Sequence, residues 1–179
     1  MPRREYLVPI CVFSHPEDLA IQLIKTYTGP LPQYMTVLPH FPPVFKRITI
    51  DNKRILLILQ LNAGLPFYTK REFFYKGALG AIFAFSMAKK NSIVKTKEFY
   101  QDFRNYVPQT EISVVTIGIS NELEAISSDE AQALAKELGA NYYEIEETDQ
   151  QTLTDIFSLL TRRALEYLSI IIPEWFNPE

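Results

Sequence analysis

The 179-residue chain is poor in cysteine, in glycine and in excess positive charge. Its single cysteine, Cys11, excludes an internal disulfide framework and favours a reducing, cytoplasmic setting. A net charge of -3 argues against nucleic-acid binding, which needs a basic face. No apolar run reaches the roughly 18 residues of a membrane-spanning helix. No signal sequence is evident, and without a cysteine at the C-terminus we expect no lipid anchor.

Hydrophobic residues, by contrast, are plentiful and include 12 Phe and 10 Tyr. A chain of this length and composition is expected to form a single domain over residues 1–179, with enough apolar surface to build a core. Residues 165–179 are expected to form the end of a last helix and a tail. Isoleucines 170–172 make that end apolar on all sides, so it either packs back on the domain, forms a homodimer or contacts a partner.

The hydrophobic pattern predicts an α/β fold in three layers, with a six-stranded, mostly parallel sheet between helices. The turn pair Asp51-Asn52 predicts one antiparallel hairpin. Strands are predicted at 6–13, 44–50, 54–61, 78–86, 112–119 and 141–146. Five helical segments are predicted at 19–27, 66–76 (helix or loop), 91–106, 127–138 and from a capping pattern at 148–151 to about 172.

The turn after the first strand, residues 13–21, lies where such sheets place a phosphate-binding loop. That loop needs glycines for close backbone approach, a lysine for the phosphates and a hydroxyl for magnesium. These nine residues contain no glycine and no lysine, but they include Pro16, Glu17 and Asp18. Ser14-x-x-Glu17 is a capping-box pattern, which predicts an early helix start that satisfies its own amides. An anion would then find no free amides there.

Several longer stretches resemble the Ras/Rab type of small GTPase. Residues 73–82 (FFYKGALGAI) look like that family's entry to its fourth strand, and residues 127–140 look like its fourth helix. Ala63-Gly64 falls in the position of its "DTAGQE" motif. The resemblance covers nearly the whole chain and implies the strand order 2-3-1-4-5-6 with only the second strand antiparallel.

The same resemblance implies that the nucleotide-site residues are replaced. In the phosphate loop, Ser14 and Leu19 stand for the glycines, Ala20 for the lysine and Ile21 for the hydroxyl residue. Elsewhere, Leu61 stands for the aspartate and Leu65 for the glutamine of "DTAGQE", and Ile119 and Glu122 stand for the asparagine and aspartate of "NKxD". Phosphoryl transfer depends on charge compensation that these residues lack. The interpretation is a pseudo-GTPase without catalytic residues or cofactor.

Such a domain would bind another protein through the segments that correspond to the family's two switch regions, 36–45 and 65–74. Their aromatic residues Phe41, Phe45, Phe67 and Tyr68 are candidates for partner contact, or alternatively fill the vacated cleft. The alternative function is a divergent small GTPase that binds GTP or GDP through a non-standard loop. A flavodoxin-like or receiver domain is a third possibility, although the strand-end residues Phe13, Leu61 and Ser86 do not supply the acidic cluster that a receiver needs. No metal-ligand spacing is present.

Overall fold

A computed structural model describes residues 4–32, 42–61, 75–120, 125–146 and 149–176, without the side chain of Glu174. The six predicted strands are all present, with bounds that differ from the predicted ones by a few residues at most. They are β1 (Glu5–His15), β2 (Val44–Ile50), β3 (Lys53–Leu61), β4 (Gly80–Ser86), β5 (Ser113–Ile119) and β6 (Asn141–Ile145). Within the described ranges, the α-helices are α1 (Asp18–Thr28), α2 (Asn91–Tyr106), α3 (Ser128–Glu137) and α4 (Gln150–Ile171).

The sheet has the order β2-β3-β1-β4-β5-β6, and β2 alone runs antiparallel to its neighbour. This confirms the predicted fold class and strand order. Asp51 and Asn52 both adopt positive φ angles, 50° and 61°, as a two-residue hairpin turn requires. The structure describes four α-helices where five helical segments were predicted, because the segment 66–76 lies almost entirely outside the described residues.

Alternation along β1 divides the core between the two faces of the sheet. Val8, Ile10 and Val12 belong to the cluster that packs under α1 and α4. Cys11 and Phe13 point to the other face, where the core continues under α2. The strand β1 lies between β3 and β4 in the middle of the sheet, so the apolar side chains on both of its faces are covered.

An aromatic cluster anchors α2 to the sheet. The Phe13 ring stacks on Phe83 with centroids 4.6 Å apart and lies 5.6 Å from Tyr75 and 5.7 Å from Phe103. The Tyr75 hydroxyl donates to Asp102 at 3.1 Å, so this side chain is held by a hydrogen bond as well as by its ring contacts. Tyr75 is therefore a core residue.

The starts of α3 and α4 were predicted from the sequence with different accuracy. The helix α3 starts where predicted and has a capping box, in which the Glu130 amide donates to Ser127 Oγ at 3.2 Å and the Ser127 amide donates to Glu130 Oε2 at 2.9 Å. The helix α4 is capped by Asp149, whose carboxylate accepts from the Thr152 amide at 2.9 Å. The predicted start of α4 at position 148 was therefore one residue early.

The segment just after α4 packs back on the domain, which is one of the three outcomes expected for the tail. The rings of Tyr6 and Phe176 lie 5.1 Å apart, and the Tyr6 hydroxyl donates to the Trp175 carbonyl at 3.2 Å. Ile170 and Ile171 nevertheless stay exposed. Within the described ranges, no helix is both long and apolar enough to cross a lipid bilayer.

Candidate functional site

The candidate site lies at the carboxyl edge of the sheet, and its first component is the loop between β1 and α1. The strand β1 continues to His15, so Ser14 is a strand residue and α1 begins only at Asp18. The N-cap residue is Glu17, and its side chain makes no capping hydrogen bond. The predicted capping box between Ser14 and Glu17 is therefore wrong, and so is the early helix start.

Other groups of the loop nevertheless bind the amides of the first helical turn. The Ala20 amide donates to Ser14 Oγ at 2.9 Å, and the Leu19 amide donates to the Pro16 carbonyl at 3.2 Å. The Ser14 hydroxyl in turn donates to the Pro16 carbonyl at 2.8 Å. Phosphate binding at a helix N-terminus uses amides that have no partner within the helix. At Leu19 and Ala20 those amides already have partners.

The side chains at the positions that the resemblance aligned with the phosphate loop are part of the core. Leu19 and Ala20 are buried in the cluster under α1 and α4, and the half-buried Ile21 packs against the same cluster. Ser14 is buried as well. Within α1, these positions therefore support helix packing and do not present charge to the cleft.

The ends of β3 and β5 are equally apolar. Leu61 and Ile119 are buried in the same core cluster. Beyond Ile119, the Ser120 amide and hydroxyl both donate to the Ile145 carbonyl, at 3.0 and 3.3 Å, and so join β5 to β6. Leu65 and Glu122 lie outside the described residues.

An open cavity of about 530 Å³ lies beyond β5 and β6, lined by Ser120, Ile145 and three acidic residues, Glu144, Glu146 and Asp149. Glu144 accepts from Ser128 Oγ at 2.7 Å and from the Tyr142 hydroxyl at 2.9 Å. Hydrogen bonds from Thr152 hold the pKa of Asp149 below its usual value, so it is ionised at neutral pH.

This cavity is therefore negatively charged, and none of its described lining residues is cationic. Over the described ranges, no group of three or more His, Cys, Asp or Glu side chains is arranged to hold a metal ion. A nucleotide phosphate would need complementary positive charge, which these described residues do not supply.

Phe45 is the one aromatic candidate for partner contact that falls within the described residues. It lies on the edge strand β2 with 60% of its surface exposed, so it does not fill the cleft. Phe41, Phe67 and Tyr68 lie outside the described residues.

A contact between Lys46 and Tyr27, which the sequence did not predict, links residues on either side of the predicted partner segment 36–45. Lys46 Nζ donates to the Tyr27 carbonyl at 2.5 Å and lies 3.6 Å from the centroid of the Tyr27 ring. Burial raises the pKa of Tyr27 to about 12 and lowers the pKa of Lys46. This pair connects the end of α1 to β2 across the intervening segment.

Comparison with known proteins shows which family this chain is similar to. The Ras family model matches residues 35–166 and begins after β1, the loop and α1. The chain is 29% identical over 133 residues to GTP-binding protein ypt3 of Schizosaccharomyces pombe, covering 68% of this chain and 62% of that protein. It is also 29% identical over 124 residues to Ras-related protein Rab-21 of Dictyostelium discoideum, covering 67% and 58%.

A third relative, Ras-related protein SEC4 of Saccharomyces cerevisiae, is 25% identical over 120 residues, covering 65% of this chain and 55% of that protein. The chain thus spans less than two thirds of the length of each of these relatives. The family model, however, matches well over half of the chain, and the strand order agrees with the order that the resemblance implied. The chain belongs to the Ras family.

Proposed function

We propose that this member of the Ras family has lost guanine-nucleotide binding and hydrolysis and acts as a protein-interaction or scaffold module. The observation that carries the proposal is the first turn of α1, where Ser14 and Pro16 occupy the amides of Ala20 and Leu19. The backbone groups that would cradle a phosphate are thereby engaged, and the neighbouring side chains are buried in the core.

The charge distribution at the carboxyl edge supports the same proposal. Glu17 and Asp18 follow β1, and Glu144, Glu146 and Asp149 line the cavity beyond β6. Lysines at positions 89 and 90 follow β4 and offset this charge only in part. The family match begins at residue 35, so the region that would hold the phosphate loop lies outside the part of the chain that matches.

Partner binding is proposed through segments 36–45 and 65–74, with Phe41, Phe45, Phe67 and Tyr68 as contact residues. The support from the described residues is Phe45, a large apolar side chain left exposed on an edge strand. Ile170, Ile171 and Trp175, at the end of α4 and just after it, form a second exposed apolar surface that a second copy of the chain would cover. We propose a cytoplasmic setting and one functional unit over residues 1–179.

Thermal unfolding with and without GTP and magnesium tests the loss of nucleotide binding. A ligand present at about 100 times its dissociation constant stabilises a protein by roughly 2.7 kcal/mol. We expect the melting temperature to stay unchanged, with a GTP-binding Ras-family protein as the positive control. The competing function is a divergent small GTPase, which the name of the relative ypt3 favours. That function predicts a clear, magnesium-dependent increase.

Substitution of Phe45 tests the partner surface. Val94 on α2 is a matched control, because it is also apolar and 57% exposed. We expect Phe45→Ala to weaken capture of a binding protein while leaving the melting temperature nearly unchanged, and Val94→Ala to change neither. If both variants capture the partner as well as the wild type does, β2 is not part of the interface.

A further inference from the structure

A second cavity lies at the amino edge of the sheet, at the opposite end from the candidate nucleotide site. It encloses about 660 Å³ and is lined by Arg4, Tyr6, Thr49, Asn52, Lys53 and Arg54. The strand register explains this assembly, because Arg54 pairs with Glu5 of β1 on one side and with Thr49 of β2 on the other. The hairpin turn sets Lys53 beside them.

The side chains that line this cavity are mainly hydrogen-bond donors. Arg4, Lys53 and Arg54 are cationic, Thr49 and Asn52 add a hydroxyl and an amide, and none of the described lining residues carries a carboxylate. Over the described residues, Lys53 and Arg54 take part in no ion pair.

The carboxylates nearest to the cavity in sequence are engaged elsewhere. Glu5 accepts from Arg47 Nε at 3.1 Å, and Asp51 forms an ion pair with Arg162. Arg4 directs one N–H toward the Trp175 carbonyl at 3.4 Å, and a guanidinium keeps further donors for a ligand. Within the described residues, these two carboxylates therefore form no ion pair with the three lining cations, although Glu5 is the cross-strand neighbour of Arg54.

We propose that this amino-edge cavity binds a phosphate-bearing anion. Guanidinium groups match the oxygens of a phosphate in pairs, and the lysine ammonium adds a point charge. The phosphate group can belong to a soluble phosphate ester or to the headgroup of a phosphorylated lipid, and the chemistry of recognition is the same. The proposal does not depend on the state of the carboxyl edge, which uses none of these residues.

The test compares the wild type with Lys53→Gln/Arg54→Gln, using inorganic phosphate and inositol hexakisphosphate as soluble probes. Phosphatidylcholine vesicles with and without a phosphoinositide form the second arm. The control, Lys89→Gln/Lys90→Gln, removes the same charge at the opposite edge of the sheet. We expect the first variant to bind at least about tenfold more weakly and the control to stay within about twofold of the wild type. Added salt should weaken wild-type binding.

Saturable binding of a soluble probe that the first variant loses would identify a soluble phosphate ester, and binding confined to phosphoinositide vesicles would identify a lipid headgroup. The proposal is overturned if the wild type binds no probe, or if both variants bind as it does. Should the double variant not fold, Lys53→Gln alone gives the same comparison. The variant also distinguishes the two sites, because a thermal shift with GTP that disappears in Lys53→Gln/Arg54→Gln arises at the amino edge.

Discussion

Replacing Ser14 with alanine isolates the interaction that closes the first turn of α1. In the wild type, Ser14 Oγ accepts from the Ala20 amide at 2.9 Å and donates to the Pro16 carbonyl at 2.8 Å. Alanine can do neither, and the site is buried, so water does not readily replace the hydroxyl. Leaving a buried donor unsatisfied costs about 1–3 kcal/mol. We therefore expect Ser14→Ala to lower the free energy of unfolding by about 2 kcal/mol.

Urea denaturation and thermal unfolding measure this loss. For a chain of this size, about 2 kcal/mol corresponds to a fall in melting temperature of roughly 4–8 °C. Ser113→Ala is a suitable control, since Ser113 also lies on a strand but its hydroxyl forms no hydrogen bond within the described residues. If Ser14→Ala costs no more than Ser113→Ala, the hydroxyl does not hold the Ala20 amide. The structural basis of the proposed function would then fail.

Three further predictions concern the core, the start of α4 and the buried thiol. Phe13→Ala should cost about 3–5 kcal/mol in urea denaturation because it empties the aromatic cluster, whereas Phe45→Ala, on the exposed edge, should cost less than about 1 kcal/mol. If both variants lose the same free energy of unfolding, the assignment of Phe13 to the core and of Phe45 to the exposed surface is wrong. Because the pKa of Asp149 is lower in the folded state than its ordinary value of 3.8, its stabilising effect is present above that value. The effect is lost as the pH falls through the folded-state pKa. The stability difference between wild type and Asp149→Asn should accordingly shrink below about pH 4, and a difference independent of pH would exclude the charge as its cause. Burial raises the pKa of Cys11 to about 12, so an aromatic disulfide reagent at pH 8 should react with Cys11 only as fast as the chain unfolds. Rapid reaction of the native protein would show that the thiol is accessible.

Much of the fold could be predicted from the sequence because its signals are local. The pair Asp51-Asn52 tolerates positive φ and fixed the hairpin, and the Ser127–Glu130 pattern fixed the start of α3. Strand ends were less accurate, since β1 extends to His15 only because it pairs with Phe85 of β4. Pairing of this kind depends on a neighbouring strand and is not visible in a local pattern.

The wrong predictions share a physical cause. In each case the residue interacts with groups that lie outside the short sequence pattern from which its role was predicted. Ser14 matches a capping box in sequence, but its hydroxyl binds the Ala20 amide from the end of a strand. On α2, the large hydrophobic residues Val94 and Tyr106 are exposed, whereas the helix buries Phe103 and the small polar residues Ser92 and Thr96. Hydrophobicity alone does not identify the buried face there.

The sequence predicted the candidate site only as a set of positions at which the residues of the family's nucleotide site are replaced. Leu19, Ala20 and Ile21 could be read as lost phosphate-loop residues, but their burial depends on the packing of α1. The amino-edge cavity was not predicted at all. Arg4 is separated by some fifty residues from Lys53 and Arg54, and only the parallel pairing of β1 with β3 brings them to one edge.

The nucleotide content of the protein, purified without added nucleotide, tests the central claim most directly. The protein is denatured, the released small molecules are separated by ion-exchange chromatography, and the guanine nucleotide is quantified per chain. The occupied amides of α1 predict that GDP and GTP are essentially absent. Recovery of close to one guanine nucleotide per chain would contradict the proposal and show that the chain binds guanine nucleotide.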